Sequence, residues 1–250
     1  MRRWNGWGDD TVTYAIPASA GSFLSSYVGI GQHSHDASLE EVLALVPKSR
    51  IPTHPLISTD PMVRLLHARG QSFTNWLDLR YGQISTFPDG VAYPLSNEEI
   101  TTLMNYAQKT GTKLIPYGGG TSVVGHIDPI KNKTPVLTID LSRMNRMIDL
   151  DSDSLLATFG AGVTGPDLEA QLRAHGFTLG HFPQSFEYST LGGWIATRSS
   201  GQQSLKYGRI EKLFAGGRLL TPLGEMNMAP FPASAAGPAQ RGSLLPLWWG

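Results

Sequence analysis

The sequence has 250 residues, and its 20 Lys+Arg balance 20 Asp+Glu, so the formal net charge is zero. A hydrophobic content of 40% is enough to bury the core of one large domain, while the charge balance lacks the basic excess of a nucleic-acid binder. The absence of cysteine excludes disulfides, cysteine-ligated zinc and a thiol nucleophile. No apolar segment follows the basic start Met1-Arg2-Arg3, and no run reaches the roughly 18 apolar residues of a membrane span, so a soluble, cytoplasmic protein is expected.

Residues 1–37 are rich in Gly, Ser, Trp and Tyr without a sustained period and read as an irregular arm. Its His33-Ser34-His35-Asp36 has metal-binding residue types but no third ligand nearby, which favours a solvated loop and no metal. Ser38-Leu39-Glu40-Glu41 is a capping box that opens a short helix through Val46, closed by Pro47 and Pro52. Asp60 caps a second helix, with Pro61 at its first position and Gly70 just past its end.

Residues 91–95 read as a strand, and Ser96-Asn97-Glu98-Glu99 as another capping box. Ile100, Leu103, Met104 and Ala107 then share one helical face, and Gly111 is the stop signal. A strand over 113–117 runs into Pro116-Tyr117-Gly118-Gly119-Gly120-Thr121-Ser122. Glycines can turn successive backbone N–H groups toward one anion, and Thr121 and Ser122 add hydroxyls, so this loop reads either as a phosphate-binding nest or as a flexible turn between strands. The order strand, helix, strand, loop is βαβ-like, with the loop at the carboxyl end of a strand, where α/β sheets place ligands.

Residues 136–141 and 146–150 read as strands around the turn Ser142-Arg143-Met144-Asn145, followed by a strand over 155–159. Their close spacing predicts an antiparallel meander, giving an α+β fold with a small βαβ lobe beside a mostly antiparallel sheet with helices. Gly160-Ala161-Gly162-Val163-Thr164-Gly165 matches G-x-G-x-x-G, with Glu187 at the distance of a ribose-binding acid. Asp167 at the start of the following helix (166–175) would repel a pyrophosphate, so the favoured reading is a tight turn with Thr164 as N-cap. Residues 181–201 are dense in hydroxyls, small residues and aromatics, which suits either a flat ligand or a buried glycine-rich segment.

Three segments, 116–122, 160–176 and 184–201, together resemble the vanillyl-alcohol-oxidase-like flavoproteins, with an FAD-binding domain of the p-cresol-methylhydroxylase type. The resemblance narrows to the alkylglycerone-phosphate (alkyl-dihydroxyacetone-phosphate) synthase family on Arg3-Trp4-Asn5-Gly6-Trp7-Gly8, on His181-Phe182-Pro183-Gln184-Ser185 with Glu187-Tyr188-Ser189-Thr190, and on Gly193-Trp194-Ile195-Ala196-Thr197-Arg198-Ser199-Ser200-Gly201. Tyr207-Gly208-Arg209-Ile210-Glu211 fits the same family.

It implies FAD as cofactor, with Pro116, Tyr117, Gly118, Gly119, Gly120, Thr121 and Ser122 on the pyrophosphate. Gln184, Ser185, Phe186, Glu187, Tyr188, Ser189 and Thr190, with Thr197, Arg198, Ser199 and Ser200, would line the rest, including the flavin end. The implied reaction exchanges the acyl group of acyl-dihydroxyacetone phosphate for a fatty alcohol through a flavin N5 adduct, without net redox change. A lipid substrate implies contact with a membrane surface, and a homodimer is compatible. No catalytic acid or base is assigned; His181 and Tyr188 read as FAD-lining or structural.

The expected organisation is an arm over 1–85, an FAD-binding domain over 86–236 incomplete at its end, a divergent tail over 237–250, and no cap domain. The chain therefore reads as a truncated or frame-shifted copy of a longer enzyme. An FAD-linked oxidase or dehydrogenase of a 2-hydroxy acid and a non-catalytic remnant are the alternatives.

Overall fold

The computed structural model describes residues 2–32 and 34–229. The arm is not wholly irregular, because α1 (Ala20–Val28) forms within it, exposed on every side. The capping box at Ser38 and Glu41 opens α2 (Leu39–Ala44). A two-residue strand, β1 (Ile57–Ser58), precedes α3 (Pro61–Leu66), whose Asp60 cap accepts from the Val63 N–H at 3.0 Å. Helix α4 (Phe73–Arg80) has a reciprocal cap of Ser72 and Asn75. Asn in place of Glu or Gln hid that box from the usual signature.

Strand β2 (Gly90–Ala92) is shorter than expected, since Pro94 has no N–H to continue a ladder. Helix α5 (Asn97–Thr110) buries Leu103 and Ala107 and ends at Gly111, left-handed at φ 70°. At its start, the Glu99 carboxylate accepts from the Leu95 N–H at 2.6 Å instead of returning to Ser96. Then follow β3 (Lys113–Tyr117), β4 (Val136–Asp140), β5 (Met147–Asp151), β6 (Leu156–Phe159) and α6 (Gly165–Arg173). The described chain closes with α7 (Leu191–Thr197), α8 (Ser204–Tyr207), α9 (Ile210–Leu213), β7 (Gly217–Thr221) and β8 (Gly224–Met228).

The main sheet has the order β1-β2-β4-β3, with β2, β4 and β3 parallel and β1 antiparallel at the edge. The β2-α5-β3 unit is present, but β4 inserts between its strands. This corrects the expected hairpin of 136–141 with 146–150. All five residues of β4 are buried, as suits a central parallel strand covered on both faces. β5 pairs instead with β6, and β7 with β8, as separate antiparallel hairpins.

Three apolar clusters stabilise these layers. Val42, Leu65, Leu79 and Phe87 pack among α2, α3 and α4; Ala92, Leu103, Leu137 and Ile139 pack between α5 and the sheet; and Val163, Leu168, Leu172, Trp194 and Ile210 join α6, α7 and α9. Burial of this kind contributes roughly 1.5–3 kcal/mol per large side chain. Among the described residues no helix is long and apolar enough to cross a membrane. Residues 230–236 of the expected FAD-binding domain and the tail over 237–250 lie outside the described residues.

Candidate functional site

The sheet delivers the glycine loop to its carboxyl edge. Tyr117, the last residue of β3, is buried; its hydroxyl donates to the Leu66 carbonyl at 3.3 Å and accepts from the Arg2 guanidinium at 3.2 Å. Gly119 runs against the Tyr188 carbonyl so closely that a Cβ would collide with it. Gly120 adopts φ +64°, a left-handed conformation, with the Tyr117 hydroxyl where a side chain would lie. The loop's far end is tied down by the Gln71 N–H, which donates to the Ser122 carbonyl at 2.6 Å. Asp128 braces that anchor, accepting from the Gly70 N–H at 3.0 Å and from the Asn75 amide at 2.6 Å.

Between these anchors, none of the N–H groups of Gly118, Gly119, Gly120, Thr121 and Ser122 donates to an acceptor among the described residues. Buried or half-buried N–H groups are normally paired. A run of unpaired ones at the end of a parallel sheet is an arrangement that accepts an anion.

The second predicted segment forms the opposite wall. The Ser189 hydroxyl donates to the Ser185 carbonyl at 2.8 Å and accepts the Trp194 indole N–H at 2.7 Å. Phe186 stacks parallel to Trp194 at 6.4 Å between centroids, and Tyr188 meets Trp7 edge-on at 5.1 Å. Thr190 caps α7 and closes on Gly118. Gln184 and Glu187 are exposed beside them.

The third segment sits at the other end of α7, roughly 10 Å away for a helix of this length. There the Thr197 hydroxyl donates to the Gly193 carbonyl at 2.8 Å, and Arg198 turns left-handed at φ 53° and faces Glu211 at 3.5 Å. The Ser199 hydroxyl pairs with the buried His181 Nε2 at 2.7 Å, while Ser200 is exposed. Burial pushes the His181 pKa down, so its ring is neutral near pH 7, and its Nδ1 has no partner among the described residues. Thus 116–122 and 184–190 touch directly, and 197–200 joins them only through α7.

The G-x-G-x-x-G stretch opens no anion site. Gly160 and Gly162 lie against the carbonyls of Met144 and Leu141, and Gly165 against Phe186. Thr164 occupies the N-cap position of α6, but its hydroxyl donates to the Asp167 carboxylate at 3.0 Å instead of capping a backbone N–H. At the arm, Asp36 is engaged by Arg80 at 2.7 Å and His35 faces Glu41 at 3.5 Å, while His33 lies outside the described residues. Among the described residues no cluster of three His, Asp or Glu could hold a metal.

Sequence reasoning missed Arg2, Trp7, Gln71, Asp128 and Asp140 as neighbours of the loop, and gave His67 a surface or core-edge role over a ligand-facing one, whereas it is buried against Asp140. Their contacts span tens of residues, and no local pattern announces them.

Comparison with known proteins shows the family of the chain. The model of the FAD binding domain family matches residues 88–228. The chain is 34% identical to the alkyldihydroxyacetonephosphate synthase of Dictyostelium discoideum over 94% of its own length and 44% of that protein. It is 42% identical to the Trypanosoma brucei brucei protein of the same name over 67% of its own length and 28% of that protein. A solved structure of alkyldihydroxyacetonephosphate synthase superposes with a TM-score of 0.81 at 31% identity, covering 97% of this chain and 50% of that one. The chain thus spans less than half the length of the curated relatives named here.

Proposed function

The chain belongs to the FAD-binding domain family, and on that premise we propose that residues 118–122 hold the FAD pyrophosphate. The observation that carries the proposal is the run of five N–H groups, from Gly118 to Ser122, that have no acceptor among the described residues. Those residues fit a pyrophosphate, because N–H donors can bind its charge without a paired cation. The hydroxyls of Thr121 and Ser122 add donors at the loop's end. Tyr188, Ser189 and Thr190 close the opposite wall and exclude water from it, with Gln184, Ser185, Phe186 and Glu187 leading into that wall. Thr197, Arg198, Ser199 and Ser200 extend the site toward the flavin end. In this reading the FAD-binding portion covers residues 86–236 and residues 1–85 form the arm.

For the activity, we propose the exchange of the acyl group of an acyl-dihydroxyacetone phosphate for a fatty alcohol, the reaction class implied by the resemblance to the synthases. FAD, when bound, supplies an electron-accepting ring for that exchange, and the protein supplies orientation and electrostatics.

The test is the visible absorbance of the purified chain before and after added FAD and desalting. Flavin bands that stay with the protein support the binding reading; a folded, colourless protein that takes up no FAD overturns it. Incorporation of labelled fatty alcohol into an alkyl product then supports the exchange, whereas oxidation of lactate or glycolate overturns it in favour of a 2-hydroxy-acid oxidase. FAD uptake with neither turnover supports the non-catalytic remnant.

A further inference from the structure

Beneath the glycine loop lies a buried pair that the proposed function leaves unused. His67, at the C-cap of α3, and Asp140, the last residue of β4, are each 5% exposed and stand 2.9 Å apart through Nε2 and Oδ2. The other ring nitrogen of His67, Nδ1, lies 2.7 Å from the Val63 carbonyl oxygen. A carbonyl only accepts, so Nδ1 must carry a proton. The Asp140 carboxylate also only accepts, and a bare Nε2 lone pair facing it at 2.9 Å would make no hydrogen bond, so the second proton sits on Nε2. Two N–H donors on one ring make an imidazolium.

We propose that His67 is held as an imidazolium ion-paired with Asp140, and that this pair is the positioning device for the FAD pyrophosphate loop. The positioning role rests on the reading of residues 118–122 given above. Asp140 is the register partner of Tyr117, the residue that opens the loop. Its Oδ1 accepts from the Ser142 N–H at 2.7 Å, and the Leu141 N–H donates to the Tyr117 carbonyl at 3.0 Å. The His67 ring lies 4.5 Å from the Tyr117 ring. The pair therefore joins α3 to the carboxyl ends of both β3 and β4, where the nest begins.

The other groups facing the ring add no charge near neutral pH. Burial and the negative charge of Asp140 push the Tyr93 phenol up to about 12, and burial pushes Tyr117 up as well. Arg143 lies over the Tyr93 ring at 5.3 Å, and Arg2 donates to the Tyr117 hydroxyl at 3.2 Å, so each cation engages a tyrosine. Loss of the imidazolium proton would leave Asp140 buried without a countercharge, a costly state.

The test combines ring-nitrogen NMR with FAD titration on the full chain. Two-bond ¹H–¹⁵N spectra at pH 7.5 report the protonation of each His67 nitrogen, assigned by the signals lost in His67→Gln or displaced in Asp140→Asn. Both nitrogens protonated is the expected result; one unprotonated nitrogen overturns the ion pair. His67→Gln is expected to bind FAD about tenfold more weakly or worse, as when a buried charged group loses its partner. His67→Arg, which keeps the charge, should restore binding. Unchanged affinity in a folded His67→Gln overturns the positioning role. A wild-type chain that takes up no FAD overturns the loop reading and with it the positioning role, while the NMR result still decides the ion pair.

Discussion

Gly119 lies flat against the Tyr188 carbonyl, which occupies the space where any larger residue would place its Cβ. This contact joins the two walls of the candidate site. Gly119→Ala must push the walls apart, and the expected loss is about 1–3 kcal/mol of stability from overpacking, with loss of FAD retention. Gly21→Ala is the control, since Gly21 sits in α1 with no atom near its missing Cβ. That change should stabilise by up to about 1 kcal/mol and leave FAD uptake unchanged. Thermal melts and desalting spectra of the two variants check both expectations.

Asp128 holds the buried Gly70 N–H and the Asn75 amide in place next to the Gln71–Ser122 anchor. Asp128→Ala leaves those donors without their acceptor, at a cost of about 1–3 kcal/mol. Because the anchor fixes the far end of the nest, FAD affinity should fall while far-UV circular dichroism stays native. Native affinity in this variant would show that the anchor does not shape the nest.

Asp89 is 2% exposed and accepts from the Arg50 guanidinium at 2.7 and 2.8 Å and from the Val136 N–H at 2.8 Å. Burial works to raise its pKa, but the Arg50 and backbone bonds prevail and hold it below the ordinary carboxylate range. A lowered folded pKa means stability present above the unfolded value and lost as pH falls toward the folded one. Denaturant midpoints should therefore drop as the pH is lowered from about 5 to 3. Asp89→Asn should lower stability at pH 7 by about 1 kcal/mol, because it weakens the charge-assisted bonds to Arg50, whose side chain is half exposed and stays solvated, and should remove this part of the pH dependence.

The Tyr117 hydroxyl bridges the Arg2 guanidinium and the Leu66 carbonyl. Tyr117→Phe removes both bonds and keeps the ring, at an expected cost of about 1 kcal/mol. Amide hydrogen exchange near Arg2 should quicken while exchange in β3 and β4 stays slow. Unaltered exchange near Arg2 would mean that the arm is held by Trp7 against Tyr188 instead.

Much was legible in the residues alone because it is local. The caps at Ser38, Asp60 and Ser96, the left-handed Gly111 and the strand over 113–117 each depend on a few neighbouring residues, and all five appear in the structure. The glycine loop was recognisable for the same reason, since three successive glycines restrict what the backbone there can serve. The partner of β4 was not legible, because β4 and β5 both read as strands and nothing in either encodes that β4 inserts between β2 and β3. Nor could the sequence separate the two glycine motifs. Only the folded chain puts the carbonyls of Leu141 and Met144 against Gly162 and Gly160, and leaves the N–H groups of 118–122 without acceptors among the described residues. His67 and Asp140 stand 73 positions apart and carry no pattern as a pair. By itself the sequence determined the caps, turns and periodicities, which are short-range properties of the chain. The tertiary structure decided which groups are buried together and which donors lack acceptors, because burial and pairing are set by residues distant in sequence.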